Sequence, residues 1–101
     1  MEISLLDEVE GFLAQLTPPE LAKTLRTIDL LEKFGALLGL PHSRHLKDGL
    51  LELRVRGKRE IRIFYCFQST SAVLLHACIK KTQTTPVKDI QLARARKSQL
   101  H

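Results

Sequence analysis

The spacing of apolar residues changes once along this chain, near Leu50, and that change limits what the chain can fold into. Before Leu50 the apolar residues recur every three or four positions, which is typical of amphipathic helices. After it they alternate with polar residues through segments 51–56, 60–67 and 73–80, which is typical of half-buried strands. A chain of 101 residues has room for one domain with one core. We therefore predict a single α+β domain over residues 1–101.

The N-terminal half predicts a helical hairpin that packs on the sheet. A capping box that begins at Ser4 is expected to start the first helix. The second helix is predicted over residues 18–34, because Thr17 can cap it, proline suits its first turn and Glu20 stands three residues after the cap. Gly35 suits the left-handed conformation that ends a helix, so the second helix is expected to end there. One apolar stripe is expected to face the sheet: Leu21, Leu25, Ile28, Leu31 and Phe34.

The rest of the chain is predicted to form a connector, a meander and a closing helix. Glycine and proline interrupt residues 36–49, which indicates a connector. The three strand segments, joined by residues 57–59 and 68–72, form an antiparallel meander. A basic C-terminal helix over residues 87–97 is expected to turn three side chains inward: Val87, Ile90 and Ala93.

Charge is divided unequally between the two halves. Residues 1–41 carry seven acidic and three basic side chains, a balance of −4, whereas residues 42–101 carry thirteen basic and four acidic ones, a balance of +9. A basic half on a small domain is typical of proteins that bind polyanions, because each Lys or Arg placed on a phosphate releases condensed counterions. A basic surface that serves only solubility is the alternative that charge alone leaves open.

Composition argues against several other classes. No apolar run approaches the roughly 20 residues that span a bilayer, and no secretory signal is recognised, so we expect a cytoplasmic protein without a membrane partner. Cys66 and Cys78 lie in strand patterns and make neither a disulfide framework nor a metal cluster. His42 and His45 have no thiol or carboxylate at ligand spacing, so neither a metal nor another cofactor is expected.

Strand register places two arginines opposite each other. A three-residue loop sets Arg54 across from Arg62, and a five-residue loop sets Glu60 beside Lys80. Like charges that face each other on a sheet destabilise it by about a few tenths of a kcal/mol. Two facing guanidinium groups make physical sense when an anion is to occupy the gap between them.

The groups on this face suit cleavage of RNA by its own 2′-hydroxyl. That reaction needs a group that takes the 2′ proton, groups that stabilise charge on the phosphoryl oxygens, and a group that protonates the leaving 5′ oxygen. Arg54 and Arg62 are expected to stabilise the charge. Lys80 or Lys81 is expected to transfer a proton, because neighbouring cations make a lysine easier to deprotonate. His76 is either a further proton-transfer group or a packed, hydrogen-bonded histidine.

A second group of residues is expected to bind RNA without taking part in the chemistry. Its members lie in the first strand turn, at the end of the last strand and at the start of the closing helix: Arg56, Lys58, Arg59, Thr82 and Lys88. Phe64 is expected to add an aromatic surface to the same face.

These segments resemble the RelE/ParE toxin superfamily, and more closely its phage-derived HigB/Tad-like branch. The resemblance covers about residues 18–97 and is carried by "GALLGLPHSRHLKDGLLELRVRGKREIRIFYCF", by "LLHACIKKTQTTP" and by the helix that follows. It implies helices packed on an antiparallel sheet, and the toxin of a type II toxin–antitoxin pair that cleaves mRNA, commonly on the ribosome, without a metal. It also implies a cognate antitoxin, often a helix-turn-helix DNA-binding protein.

The resemblance can be carried over residue by residue. The family's basic strand position maps onto Arg54 and its central-strand arginine onto Arg62. Its Lys-Lys-Thr segment maps onto Lys80, Lys81 and Thr82. Two features depart from the pattern, since relatives begin with a β-strand where only three residues precede Ser4 here, and the C-terminal tyrosine or histidine base of some relatives has no clear counterpart.

Three functions are compatible with these observations. The leading hypothesis is a ribosome-dependent mRNA endoribonuclease toxin. The second is a ParE-like toxin that inhibits a protein target such as DNA gyrase without catalysis. The third is a nucleic-acid-binding module in which the cations only hold phosphates. The fold does not decide among them.

Overall fold

Five strands in the described part of the chain form one mixed sheet with helices on both faces. The computed structural model describes residues 1–81, 83 and 86–100. Their elements, in chain order, are β1 (Glu2–Leu5), α1 (Asp7–Ala14), α2 (Pro18–Phe34), a 3₁₀ turn (Gly35–Leu37), β2 (Ser43–His45), β3 (Leu51–Val55), β4 (Glu60–Gln68), β5 (Ser71–Lys80) and α3 (Val87–Ser98). The strand order is β1-β5-β4-β3-β2, with β1 parallel to β5 and the other neighbours antiparallel. The predicted α+β class is confirmed, but the sheet is mixed rather than purely antiparallel. No helix in the described ranges has both the length and the apolar character needed to cross a bilayer.

The first residues form a strand, and the predicted capping box at Ser4 is wrong. The segment Glu2–Leu5 pairs in parallel with the start of β5. Helix α1 begins at Asp7 instead, with Leu6 at its cap position and no side-chain hydrogen bond there. The Leu6 N–H donates to the Leu74 carbonyl oxygen at 3.2 Å, so the strand ladder continues to the helix start. Several ladder bonds outweigh the roughly 1 kcal/mol of a single cap.

Helix α2 has the bounds that the sequence predicts. The Glu20 backbone N–H donates to Thr17 Oγ1, and the Thr17 backbone N–H donates to the Glu20 carboxylate at 3.0 Å, which completes the capping box. The helix ends at Gly35, whose φ of 54° favours glycine.

The buried face of α2 is rotated from the predicted stripe. Ile28 and Leu31 are buried, but Leu25 and Phe34 are each 45% exposed. Two threonines, Thr24 and Thr27, are buried beside the leucine and isoleucine, and their hydroxyls donate to the helix's own carbonyl oxygens one turn earlier. Because those bonds satisfy the hydroxyls, threonine can occupy a core-facing position.

A short strand lies inside the predicted connector. Residues Ser43–His45 pair antiparallel with β3, so that β2 forms one edge of the sheet. The hydroxyl groups of Ser43 and Tyr65 hydrogen-bond to each other inside the protein, which satisfies two polar groups that would otherwise be buried without partners.

Each face of the sheet has its own apolar core. Helices α1 and α2 cover one face, where Leu53 and Ile63 are fully buried. Helix α3 covers part of the other face, where its Ala93 packs with Phe64. Ala93 and Ile90 point inward as predicted, whereas Val87 is exposed because α3 reaches the sheet only beyond its first turn.

Two irregularities in the β4–β5 hairpin cancel each other. The turn contains two residues, 69 and 70, rather than the predicted five. A bulge then shifts the register between Phe64 and the residue after it. Beyond the bulge, Phe64 lies opposite His76 and Glu60 lies opposite Lys80, as predicted. The register at the polar end of the sheet is therefore confirmed, although the predicted turn length is wrong.

The bulge also changes which side chains of β5 face which core. Strict alternation would place Leu75 on the same face as Ala77. Leu75 instead packs with the α3 core, whereas Leu74 and Ala77 pack under α1 and α2. The extra residue brings His76 onto the α3 face, next to the helix that binds it.

An exposed ion pair joins α2 to the turn between β3 and β4. Two guanidinium nitrogens of Arg59 donate to the two carboxylate oxygens of Glu20, each at 2.7 Å. These bonds, together with the hydrogen bond from the Thr17 backbone, lower the pKa of Glu20 from 4.5 to about 2. A lowered pKa in the folded state means that this pair stabilises the fold above pH 4.5 and loses its contribution as the pH falls toward 2.

We expect the Glu20 carboxyl carbon to titrate near pH 2 when its chemical shift is followed by NMR. Replacing the arginine, Arg59→Gln, should return the midpoint toward 4.5, because the largest cause of the lowered pKa is then gone. Arg94→Gln removes a guanidinium that contacts Asp48 instead, and should leave the Glu20 midpoint unchanged. A midpoint near 4.5 in the wild-type protein would contradict the ion pair.

Candidate nucleic-acid interface

The sheet face that α3 covers in part carries rows of polar residues at its open end. Alternation along each strand and the register between strands place these side chains on one face. The rows, read across β3, β4 and β5, are Glu52, Phe64 and His76; then Arg54, Arg62 and Cys78; and finally Glu60 and Lys80. The face therefore combines arginine, lysine and carboxylate groups within three neighbouring rows of paired residues.

The predicted alignment of Arg54 with Arg62 is confirmed, but Arg62 is not open to a ligand. Arg62 is 2% exposed, and its Nη2 donates to the Glu60 carboxylate at 3.3 Å. Its Nε lies 3.8 Å from Oε2 of Glu52, an ion-pair distance that is too long for a hydrogen bond. This corrects the expectation that Arg62 offers its guanidinium to a phosphate, because carboxylates already neutralise it and protein surrounds it.

Glu52 is the residue that sequence reasoning missed. It is 1% exposed and contacts two arginines, with Arg44 Nη2 3.3 Å from Oε1 and Arg62 Nε near Oε2. Glu52 lies opposite Phe64, one row away from Arg62, so the contact is diagonal rather than direct. Diagonal neighbours on a sheet are within reach of long side chains, and that rule is the signal that could have found it.

Arg54 differs from Arg62 in having no carboxylate partner within 4.0 Å in the described part of the chain. Its Nε is buried without a hydrogen-bond partner, although the side chain as a whole is only partly buried. Burial, followed by the charges of Arg62 and Arg56, lowers the pKa of Arg54. A guanidinium that is partly desolvated, surrounded by positive charge and unpaired is well suited to bind an anion.

The two lysines predicted to transfer protons lie at the end of β5. Lys80 is partly buried opposite Glu60, and Lys81 is exposed directly after the strand. Hydrogen bonds from the Gly57 N–H and from Arg62 lower the pKa of Glu60 even though burial opposes them, so this carboxylate is held ionised among cations. The lysines thus lie at the end of a face whose two glutamates, Glu52 and Glu60, already contact arginines.

The described residues that were predicted to bind RNA lie in two places, the turn between β3 and β4 and the start of α3. Arg56 and Lys58 are exposed at the turn after β3, and Lys88 is exposed in the first turn of α3. Two guanidinium nitrogens of Arg59 donate to the two carboxylate oxygens of Glu20, so Arg59 is not a free cation. Thr82 lies outside the described residues.

His76 is the packed, hydrogen-bonded histidine of the two predicted alternatives. Its Nε2 lies 2.6 Å from Asp89 Oδ1, and Arg96 Nη1 lies 3.1 Å from its Nδ1. Arginine can only donate, so Nδ1 accepts, and Nε2 carries the proton that it donates to Asp89. Both nitrogens are engaged, and neither offers a lone pair to a 2′-hydroxyl in this arrangement.

Phe64 does not supply the aromatic surface that the sequence suggested. It is fully buried in the α3 core, with its ring stacked on His76 at a centroid distance of 6.2 Å and an interplanar angle of 9°. Its role is to hold the imidazole plane from one side while α3 binds the ring edge.

One group of side chains has the spacing of a metal site. Ligand atoms of His76, Cys78 and Asp89 all lie within 4.8 Å of one another. A metal on Nε2 would require the proton on Nδ1, where Arg96 also needs an acceptor. Burial, then the charges of Asp89 and Glu52, raises the pKa of Cys78 to about 12, which opposes a thiolate ligand. The donor set does not fit a metal in this conformation.

Fold and face together define a class of protein: a small α+β domain with helices on both sides of a mixed sheet and a cationic open end. The family described as "Phage derived protein Gp49-like (DUF891)" matches residues 11–98. The chain therefore belongs to this phage-derived Gp49-like family, which is associated with RelE-like toxins. A search of curated proteins finds no match.

We expect Arg62→Ala to lower the free energy of unfolding by roughly 3–5 kcal/mol, because it leaves Glu52 buried with less compensation. Arg54→Ala removes a less buried, unpaired cation and should change it by less than about 1 kcal/mol. Urea unfolding followed by circular dichroism measures both.

A third variant separates lost charge pairing from the cavity that the alanine leaves. Glu52→Gln in the Arg62→Ala background should recover part of the lost stability, since the uncompensated charge is gone while the cavity remains. Equal unfolding midpoints for Arg62→Ala and Arg54→Ala would contradict the assigned roles.

The thiol of Cys78 should be nearly inert in the folded protein. A pKa of about 12 in place of 9.0 leaves roughly a thousandfold less thiolate at neutral pH. Iodoacetamide labelling followed by mass spectrometry should therefore modify Cys78 in urea but not in buffer. Asp89→Asn should speed the native reaction because one negative neighbour is lost, whereas Asp48→Asn, at an exposed site, should not. Equal labelling rates in urea and buffer would show that the thiol is not buried as described.

Proposed function

We propose that this protein is the toxin of a type II toxin–antitoxin pair and that it cleaves mRNA by promoting attack of the 2′-hydroxyl on the adjacent phosphorus. Family membership supports the toxin class, and the RelE/ParE and HigB-like resemblance supports action on mRNA. The observation that carries the proposal is Arg54, a partly desolvated guanidinium that the surrounding carboxylates leave unpaired.

The reaction needs no metal and no second substrate. The 2′ oxygen forms a bond to phosphorus as the bond to the 5′ oxygen breaks, the 2′ proton passes to solvent water, and the 5′ oxygen receives a proton from a lysine ammonium group. The products are a 2′,3′-cyclic phosphate and a free 5′-hydroxyl. Charge grows on the non-bridging oxygens during the step, and a fixed guanidinium stabilises that charge more in the transition state than in the bound substrate.

Arg54 is the group assigned to those oxygens. Arg44 and Arg62 are the ion-pair partners of Glu52, and the charge of Glu52 opposes the lowering of the Arg54 pKa only in part. Lys80 and Lys81 are assigned to the leaving 5′ oxygen, because they are the cationic residues at the end of β5, in and beside the row of Glu60. Arg62 is assigned a positioning role behind Arg54.

The proposed partners follow from charge and from the resemblance. A balance of +9 over residues 42–101 favours association with mRNA and with the ribosome. A cognate antitoxin, a helix-turn-helix DNA-binding protein, is the proposed protein partner, and both act in the cytoplasm.

A second candidate function is supported by the state of His76. Its two nitrogens are occupied by Asp89 and Arg96, so the one imidazole on this face in the described residues lacks a free lone pair. That arrangement favours a toxin that binds RNA, or a protein target such as DNA gyrase, without cutting RNA. The two candidates share Arg54 as an anion ligand and differ in their products.

Expression of Arg54→Ala should abolish growth arrest, and its cleavage rate on ribosome-bound mRNA should fall roughly 100- to 1,000-fold, the usual effect of removing one group that stabilises transition-state charge. Arg94→Ala is the matched control, because Arg94 contacts Asp48 away from the face. Primer extension locates the cuts, and end analysis identifies the cyclic phosphate.

Full toxicity of a folded Arg54→Ala variant would show that Arg54 is not part of the functional site. Growth arrest with uncut mRNA and defective DNA supercoiling would assign the protein to the non-catalytic candidate instead. Growth arrest and mRNA cleavage are both measured in the same cells. The experiment therefore tests the role of Arg54 separately from the type of reaction.

A further inference from the structure

The arginine and lysine residues of the described chain divide into two sets by carboxylate pairing. Those that contact a carboxylate within 4.0 Å are Arg44, Arg59, Arg62 and Arg94. Those that line one groove and make no such contact in the described ranges are Lys23, Arg26, Arg54 and Arg56. Eight further Lys and Arg residues in the described ranges also make no such contact and lie outside this groove. Four unpaired cations nevertheless line this one groove with no acidic residue among them, which favours an anionic ligand there.

The groove runs between α2 and the open end of β3. Strand β2 stops short of this end, where the Arg54 N–H donates to the His42 carbonyl oxygen at 2.8 Å. From the other wall, Lys23 and Arg26 project from one helix face, because residues three apart are neighbours on a helix. The cavity has a volume of about 380 Å³, and the rest of its lining is Thr27, Leu30, Pro41, His42 and Val55. Acidic residues are absent from this described lining.

Arg54 belongs both to this groove and to the sheet face described above. A strand whose reacting phosphate lies on Arg54 must place its neighbouring phosphates nearby, and the groove offers cations on both walls. The lining contains no Phe, Tyr or Trp, and His42 is its one aromatic side chain. Its four cations therefore fit the sugar–phosphate backbone rather than particular bases.

We propose that this groove binds the backbone of single-stranded RNA beside the phosphate held by Arg54, an inference that rests on the proposed function for the identity of the strand. Lys23 and Arg26 bind phosphates on the α2 side, and Arg56 binds on the strand side. Binding here is independent of sequence and strongly dependent on salt. An acidic segment of a protein partner is the rival occupant.

The test uses a 2′-O-methyl dodecamer, which cannot be cleaved because it lacks the 2′-hydroxyl. Its affinity for the full-length protein is measured by fluorescence anisotropy at several salt concentrations. The double variant Lys23→Ala/Arg26→Ala should lower the slope of log K against log salt by about 1.4, since each lost phosphate contact on a single strand contributes about 0.7. The control, Lys33→Ala/Lys47→Ala, removes the same charge from exposed positions outside the groove and should leave the slope unchanged.

Each outcome decides the matter. A smaller slope in the groove variant alone supports the proposal, whereas equal slopes in both double variants overturn it. Unchanged RNA binding together with weakened binding of the cognate antitoxin would show that an acidic protein segment occupies the groove, and would also overturn the proposal. Binding of the uncleavable RNA is measured separately from cleavage. A protein that shows the slope difference but cuts no mRNA would support the groove and contradict the proposed reaction. A protein that cuts mRNA but shows no slope difference would support the reaction and contradict the groove.

Discussion

A carboxylate that is 1% exposed must have positive partners, and the way Glu52 meets this requirement decides how the polar face is organised. Removing a charge from water costs several kcal/mol unless close countercharges compensate. Arg44 approaches one oxygen from β2, and Arg62 approaches the other from β4. Arg54 shares the face but has no carboxylate oxygen within 4.0 Å in the described residues, so it feels the charge of Glu52 only at longer range. One buried glutamate thereby separates an arginine that supports the fold from an arginine that is available to a ligand.

The same separation explains the other groups of the face. Helix α3 is bound to the sheet through polar contacts that also fix His76, since Arg96 donates to the Leu75 carbonyl oxygen at 2.9 Å and to the imidazole, while Asp89 accepts from it. The histidine therefore stabilises the docking of α3. Cations without a carboxylate contact lie at the open end of the sheet, as Lys80 does, and along the groove beside α2. Structural and ligand-binding charges are neighbours here, and burial and pairing tell them apart better than residue type does.

Local signals in the sequence were sufficient for the parts of the fold that local chemistry controls. The cap at Thr17 and the stop at Gly35 define α2, and the loop after β3 fixes Arg54 opposite Arg62. The β4–β5 register was right at the polar end because a shorter turn and a bulge offset each other. Strand β1 was not predicted because its partner, β5, lies about seventy residues away in the sequence. A segment of four residues is also too short for its apolar pattern to indicate a parallel strand. The site was harder still: the burial of Arg62 depends on a diagonal side-chain contact, and the state of His76 depends on residues from α3 that only tertiary packing brings near.

The most direct test of this account observes the two arginines together. The Nε–H signals of Arg54 and Arg62 can be followed by ¹⁵N NMR while the uncleavable 2′-O-methyl RNA is added. We predict that the Arg54 signal shifts as RNA binds, and that the Arg62 signal stays in place because its carboxylate partners remain. A shift of the Arg62 signal with none at Arg54 would show that phosphate displaces Glu52, and would contradict the separation of roles on which the account depends.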